Sequence, residues 1–102
     1  MSQEKFPHLK IEGNRLTAFT ELPFHGSELE LACRELFALE NKELTIDLSA
    51  LNYVASPQIG ALVAACARAR QTGRKLHVIV SEELERFLGR MKLDGIIHYE
   101  VA

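Results

Sequence analysis

Residues 44–80 narrow the possible folds of this chain most, because two short apolar runs flank one long helical pattern there. Leu44-Thr45-Ile46-Asp47-Leu48 alternates with Leu44, Ile46 and Leu48 on one face, and Leu76-His77-Val78-Ile79-Val80 is nearly all apolar. The first has the period of a strand, and the second has the composition of an interior parallel strand. Between them Ser56-Pro57 opens a helix: serine is a strong N-cap, and proline at the first helical position loses nothing by lacking an N–H. Ile59, Leu62, Val63, Cys66 and Ala69 form the expected buried stripe, while Gly60, Ala61, Ala64 and Ala65 keep the remaining surface slim for close packing. Gly73 is placed to end the helix. A strand–helix–strand unit with short links favours parallel pairing and a right-handed crossover.

The flanking segments extend this unit. Leu9 and Ile11 precede Gly13-Asn14, and Leu16, Ala18 and Phe19 follow it, a pattern that predicts a β-hairpin ending at Pro23. Ser27 and Glu30 have the spacing of a capping box, and Leu29, Cys33, Leu36 and Phe37 supply one apolar helix face, with closure expected at Asn41-Lys42. Ser81 is placed to cap a third helix, with Glu82 and Glu83 at its positive end and Leu84, Phe87, Leu88 and Met91 inside. Asp94-Gly95 turns the chain into a last strand or extended tail over 96–101. The expectation is one α/β domain spanning residues 1–102, a mixed β-sheet covered by helices.

Charge and cysteine usage exclude several classes of function. Charged residues make up 25% of the chain with a formal net charge of -2, and no block of like charges occurs, so nothing attracts nucleic acid or an anionic membrane in bulk. No apolar run is long enough to insert into a membrane, and residues 1–10 hold no signal-like segment, so a cytoplasmic protein is expected. Cys33 and Cys66 fall inside apolar helical patterns, as buried thiols do, and His8, His25, His77 and His98 lie on separate elements at no ligand spacing. No metal, no cofactor and no catalytic set is implied; Asp47, at a strand end, is expected to bond to its neighbouring loop. Arg68, Arg70, Arg74 and Lys75 suit the negative end of the second helix, an anion site there being the lesser reading.

The order of elements, with the stretch LTIDLSALNYVASPQIGALVAACARARQTG from Leu44 to Gly73, resembles the STAS family, which includes bacterial anti-anti-sigma factors. In that family an apolar strand ending in D-L-S is followed by a short loop and then by D-S-[ST]-G-[LI]-G at a helix start. Here the strand ends in Asp47-Leu48-Ser49, and the helix start reads Ala55-Ser56-Pro57-Gln58-Ile59-Gly60. The segment RFLGRMKLDGII, Arg86 to Ile97, is similar to the family's arginine-rich helix and closing turn, and Thr20-Glu21-Leu22-Pro23 stands where the family often has G-E-L-D.

The resemblance implies a STAS fold and a non-catalytic protein-binding adaptor, a regulator of signal transduction and transcription. It implies a partner resembling an anti-sigma factor with a serine-kinase fold, bound through the loop and helix start at 53–63, with Tyr53, Ala55, Ser56, Pro57, Gln58 and Ile59 as contacts. The family's phosphoacceptor position is Pro57, which has no hydroxyl, so Ser56 is the neighbouring candidate for phosphorylation; its other reading is a plain helix cap. Tyr53 reads equally as a partner contact or a half-buried anchor. A second implied role is an accessory subunit of a bacterial ABC-type lipid transporter, with the transporter's ATPase as partner; a dimer is left open.

Overall fold

The computed structural model describes residues 6–23 and 27–102. Leu9–Glu12 (β1) and Arg15–Ala18 (β2) form the predicted hairpin, followed by Glu28–Ala38 (α1), Glu43–Leu48 (β3), Ser56–Gln71 (α2), Lys75–Val80 (β4), Glu82–Arg90 (α3) and Tyr99–Val101 (β5). The five strands lie in chain order in one sheet; β1 runs antiparallel to β2, and each later pair is parallel. This is the α/β architecture with a mixed sheet that the sequence predicts.

One face of that sheet builds the core. Leu16, Ile46 and Val78 lie side by side across β2, β3 and β4 and are buried, as are Leu44, Leu48 and Val80. Against them pack Leu29, Ala32, Leu36 and Phe37 of α1, Leu62, Ala65 and Ala69 of α2, and Leu84 and Leu88 of α3. The period-2 alternation sends the intervening residues to the other face. There Lys10, Arg15, Thr45, Asp47, His77, Ile79 and Glu100 are exposed or half-buried.

Local signals worked where a side chain could reach its backbone target. Gly13 takes the positive φ (58°) of the hairpin turn, and Asn14 donates from Nδ2 to the Glu43 carbonyl (2.7 Å), tying the turn to β3. Ser81 Oγ accepts the Leu84 N–H at 3.0 Å and donates to the Leu51 carbonyl at 2.7 Å, so one hydroxyl caps α3 and anchors the loop after β3. Gly73 (φ 68°) ends α2 with its N–H on the Arg70 carbonyl and the Arg74 N–H on the Ala69 carbonyl, the paired bonds of a Schellman cap.

Three expectations are corrected. Ser27 does precede α1, but its backbone (φ -120°, ψ 25°) is not extended and its side chain makes no cap bond; Glu30 of the expected box pairs instead with Arg34 (3.0 Å), while Glu28 accepts the His8 N–H (2.7 Å) and meets Nδ1 (2.8 Å). The same helix stops at Ala38, before Asn41-Lys42. Met91 lies beyond the last turn of α3 and is 52% exposed, not part of its inner face. Cys33 and Cys66 are buried as expected, and burial pushes the Cys33 thiol up to about 12. His25 lies outside the described residues.

On the open face, His77 stands between two carboxylates, Glu100 Oε2 at 2.8 Å from Nδ1 and Glu43 Oε1 at 3.4 Å from Nε2. Because they engage opposite ring nitrogens, they cannot converge on one ion. The hydrogen bond to Glu100 raises the His77 pKa above its ordinary 6.5, burial opposes it, and Glu43 adds to the rise. A raised folded-state pKa stabilises below the unfolded value and is lost as pH climbs through the folded one. Melting temperature should therefore fall between pH 6 and the raised pKa by an amount that His77→Gln abolishes. Equal pH profiles for the two proteins would show that this trio does not hold β5 in place.

Candidate functional site

The carboxyl ends of β2 and β3 lie at the same end of the sheet, where loops of parallel α/β folds present their binding groups. The loop after β3 is firmly seated. Asp47 accepts from the Ser49 N–H (3.0 Å) and Oγ (2.7 Å), as expected for a strand-end carboxylate, and pairs with Arg15 at 2.5 Å. Burial raises the Asp47 pKa, but the Ser49 bonds and Arg15 outweigh it and hold the carboxyl below its usual range. Leu51 and Val54 are buried and pin the loop from beneath.

The start of α2 differs by one residue from the sequence reading. Ala55, in extended conformation, is the N-cap residue, its carbonyl accepting the Ile59 N–H at 3.0 Å; Ser56 is the first helical residue and Pro57 the second. Alanine has no oxygen to cap with, so Gln58 supplies the other half of the motif. Its Oε1 accepts the Ala55 N–H at 2.6 Å, and its Nε2 donates to the Pro23 carbonyl at 3.0 Å. Gln58 is 5% exposed, so it stands as an internal brace and not among the partner-facing residues with which the sequence reading grouped it.

The remaining residues separate by exposure. Ser56 and Pro57 are exposed, and Tyr53 is 38% exposed; Ala55 and Ile59 are half-buried, Ile59 packed against the core. No hydrogen bond from a described residue engages the Ser56 hydroxyl, and α2 has no side-chain cap bond. From Leu48 to Ala67 the chain contains no Asp, Glu, Lys or Arg, so this stretch brings no charge of its own to the apex.

Sequence reasoning missed the second loop that completes the site. Glu21 Oε2 accepts the Asn52 N–H at 2.9 Å, and the Pro23 carbonyl holds Gln58, so residues 19–23 are bound to the loop and helix that follow β3. Phe19, 53% exposed, leaves β2 at this same end. The available signal was an aromatic residue just past the hairpin's last buried position, which becomes informative only once β2 and β3 are known to be neighbours.

This topology recurs among solved structures. A crystal structure of an anti-sigma factor antagonist from Mycobacterium paratuberculosis superposes with a TM-score of 0.71 at 19% identity, over 89% of this chain and 80% of that one. The chain has the anti-sigma factor antagonist, STAS-like fold. The NMR structure of the protein TM1081 is also similar, with a TM-score of 0.64 and 19% identity, over all of this chain and 85% of that one. No family model matches the sequence, and no curated protein matches it. Among the described residues no helix of this STAS-like domain is long and apolar enough to cross a membrane, and no group of three metal-ligating side chains converges.

Proposed function

We propose that this STAS-like domain is a non-catalytic cytoplasmic adaptor that docks a protein partner of the anti-sigma, serine-kinase type through the uncharged apex at Tyr53, Ser56 and Pro57. The observation that carries this reading is the pairing of an exposed, charge-free helix start with a buried brace, Gln58, that prevents it from rearranging. A preorganised apex loses little conformational freedom on binding, which favours affinity without charge. Pro57 contributes no acceptor hydroxyl, so docking is constitutive unless Ser56 is modified. A phosphate there would bring about -1.5 to -2 charges to a neutral surface and repel an acidic partner, while the helix N-terminus tolerates it.

Partner capture with immobilised protein and mass spectrometry tests the proposal. Tyr53→Glu and Pro57→Arg change exposed side chains, so both should keep the wild-type circular dichroism spectrum while retaining less than about a tenth of the partner. Undiminished capture by both folded variants would place the docking surface elsewhere. Recovery of a transporter ATPase in place of a kinase-type protein would transfer the same apex to a transport complex.

A further inference from the structure

At the opposite end of α2, roughly 20 Å along the helix from Ser56 at about 1.5 Å per residue, lies a half-open cavity that the docking apex does not use. Its volume is about 180 Å³, and it is lined by Cys66, Ala69 and Arg70 of α2, Arg74 of the following turn, Leu76 of β4 and His98 just before β5. We propose that this cavity binds a small organic anion, a phosphate or carboxylate carried on an apolar body about the size of a benzene ring.

Three observations converge on that chemistry. The first is an orphan donor on a lining residue: Arg74 Nη1 is enclosed by protein and has no hydrogen-bond partner, so an anion in the cavity reaches it only when the guanidinium turns outward. Buried guanidinium N–H groups normally meet an acceptor, because an unmade bond to a charged group costs more than most. The second is unneutralised charge. Among the described residues no carboxylate forms an ion pair with Arg70 or Arg74, whereas Arg15, Arg34 and Arg86 each have one. The Arg74 guanidinium is steadied by the Phe37 ring, 5.5 Å from its centroid, and its backbone N–H by the Ala69 carbonyl at 2.9 Å. Two arginine forks beside an imidazole match the oxygens of a phosphate or carboxylate.

The third observation is the wall. Cys66 and Ala69 are buried and Leu76 is half-buried, so the cavity offers an apolar floor beside its cationic rim. An apolar cavity of about 150 Å³ accepts benzene, so this one is large enough for an aryl or short alkyl body. Completing the helix dipole does not account for the arrangement. The Arg68, Ala69 and Arg70 carbonyls of the last turn are already taken by the Thr72, Arg74 and Gly73 N–H groups and the Thr72 hydroxyl, and a dipole role needs no cavity.

Phenyl phosphate is the probe. Titrated into the isotope-labelled protein, it should shift the amide resonances of Cys66, Ala69, Arg70, Leu76 and His98 saturably, with a Kd on the order of 1 mM or tighter. Inorganic phosphate, which lacks the apolar body, and phenol, which lacks the charge, should each bind at least about tenfold more weakly. Arg70→Gln, an exposed change that leaves the core untouched, should weaken phenyl phosphate about tenfold, and Arg74→Gln at least as much. Absence of a saturable shift at about 10 mM, equal binding of inorganic phosphate, or full affinity in folded Arg70→Gln would each overturn the assignment. The apex variants Tyr53→Glu and Pro57→Arg should bind the probe normally, so this site stands or falls independently of the docking surface.

Discussion

Replacing Gln58 with alanine should destabilise the domain by about 1.5–3 kcal/mol and should loosen the start of α2 before anything else. The orientation of the amide is forced by its neighbours: the Ala55 N–H needs an acceptor and the Pro23 carbonyl needs a donor, so Oε1 faces the first and Nε2 the second. Truncation leaves the part-buried Ala55 N–H unpaired, whereas exposed Pro23 can turn its carbonyl to water. Most of the cost therefore falls at the helix N-terminus. Amide hydrogen exchange should show Ala55 and Asn52 losing protection while Ile46 and Val78 keep theirs, and the same variant should bind its partner more weakly because the apex is no longer preorganised. A stability change below about 0.5 kcal/mol would mean that water replaces the brace and that the rigidity argument for the apex is wrong.

A larger loss is expected from Ile46→Ala. Ile46 sits at the centre of the sheet, fully buried, with Leu16 and Val78 in register on either side and the helices against its face. Truncation removes buried methyl and methylene groups and leaves a cavity that close-packed strands cannot collapse, which costs about 2–5 kcal/mol. For a domain of this size that is a drop of about 10–25 °C in Tm, against a total stability of about 5–15 kcal/mol. The control is Ile79→Ala, one strand over on the half-buried opposite face, where the same change in chemistry should cost about 1 kcal/mol or less. Thermal denaturation of the two variants decides the matter. Similar losses would mean that both faces of the sheet are equally packed.

Elements defined by periodicity were legible in the sequence, because burial repeats every two residues in a strand and every three or four in a helix. The hairpin, the parallel pair β3–β4 and the Gly73 terminus all follow from such local rules, as does the Ser81 cap. The buried stripe of α2 is rotated from the expected one: Ala61 and Ala65 are buried with Leu62, Cys66 and Ala69, and Ile59 and Val63 are only half-buried. Two capping expectations failed for different reasons. Ser27 lacks the extended backbone of a cap and its box partner Glu30 pairs with Arg34, whereas the start of α2 moved to Ala55 because Gln58 found both Ala55 and Pro23. A capping rule that looks for an oxygen at the N-cap has no means of registering an alanine capped from the third helical position.

The amino-acid sequence by itself determined most of the inward-facing positions of the strands and of α1, where the chain turns and that residues 48–67 contain no Asp, Glu, Lys or Arg. Tertiary structure alone decided which distant groups meet: Glu21 with Asn52, His77 with Glu43 and Glu100, and Arg74 with Phe37. Burial pattern is written in spacings of a few residues, so it survives in a one-dimensional string. Partnership between side chains depends on strand order and register, and these exist only after the core formed by that pattern has closed.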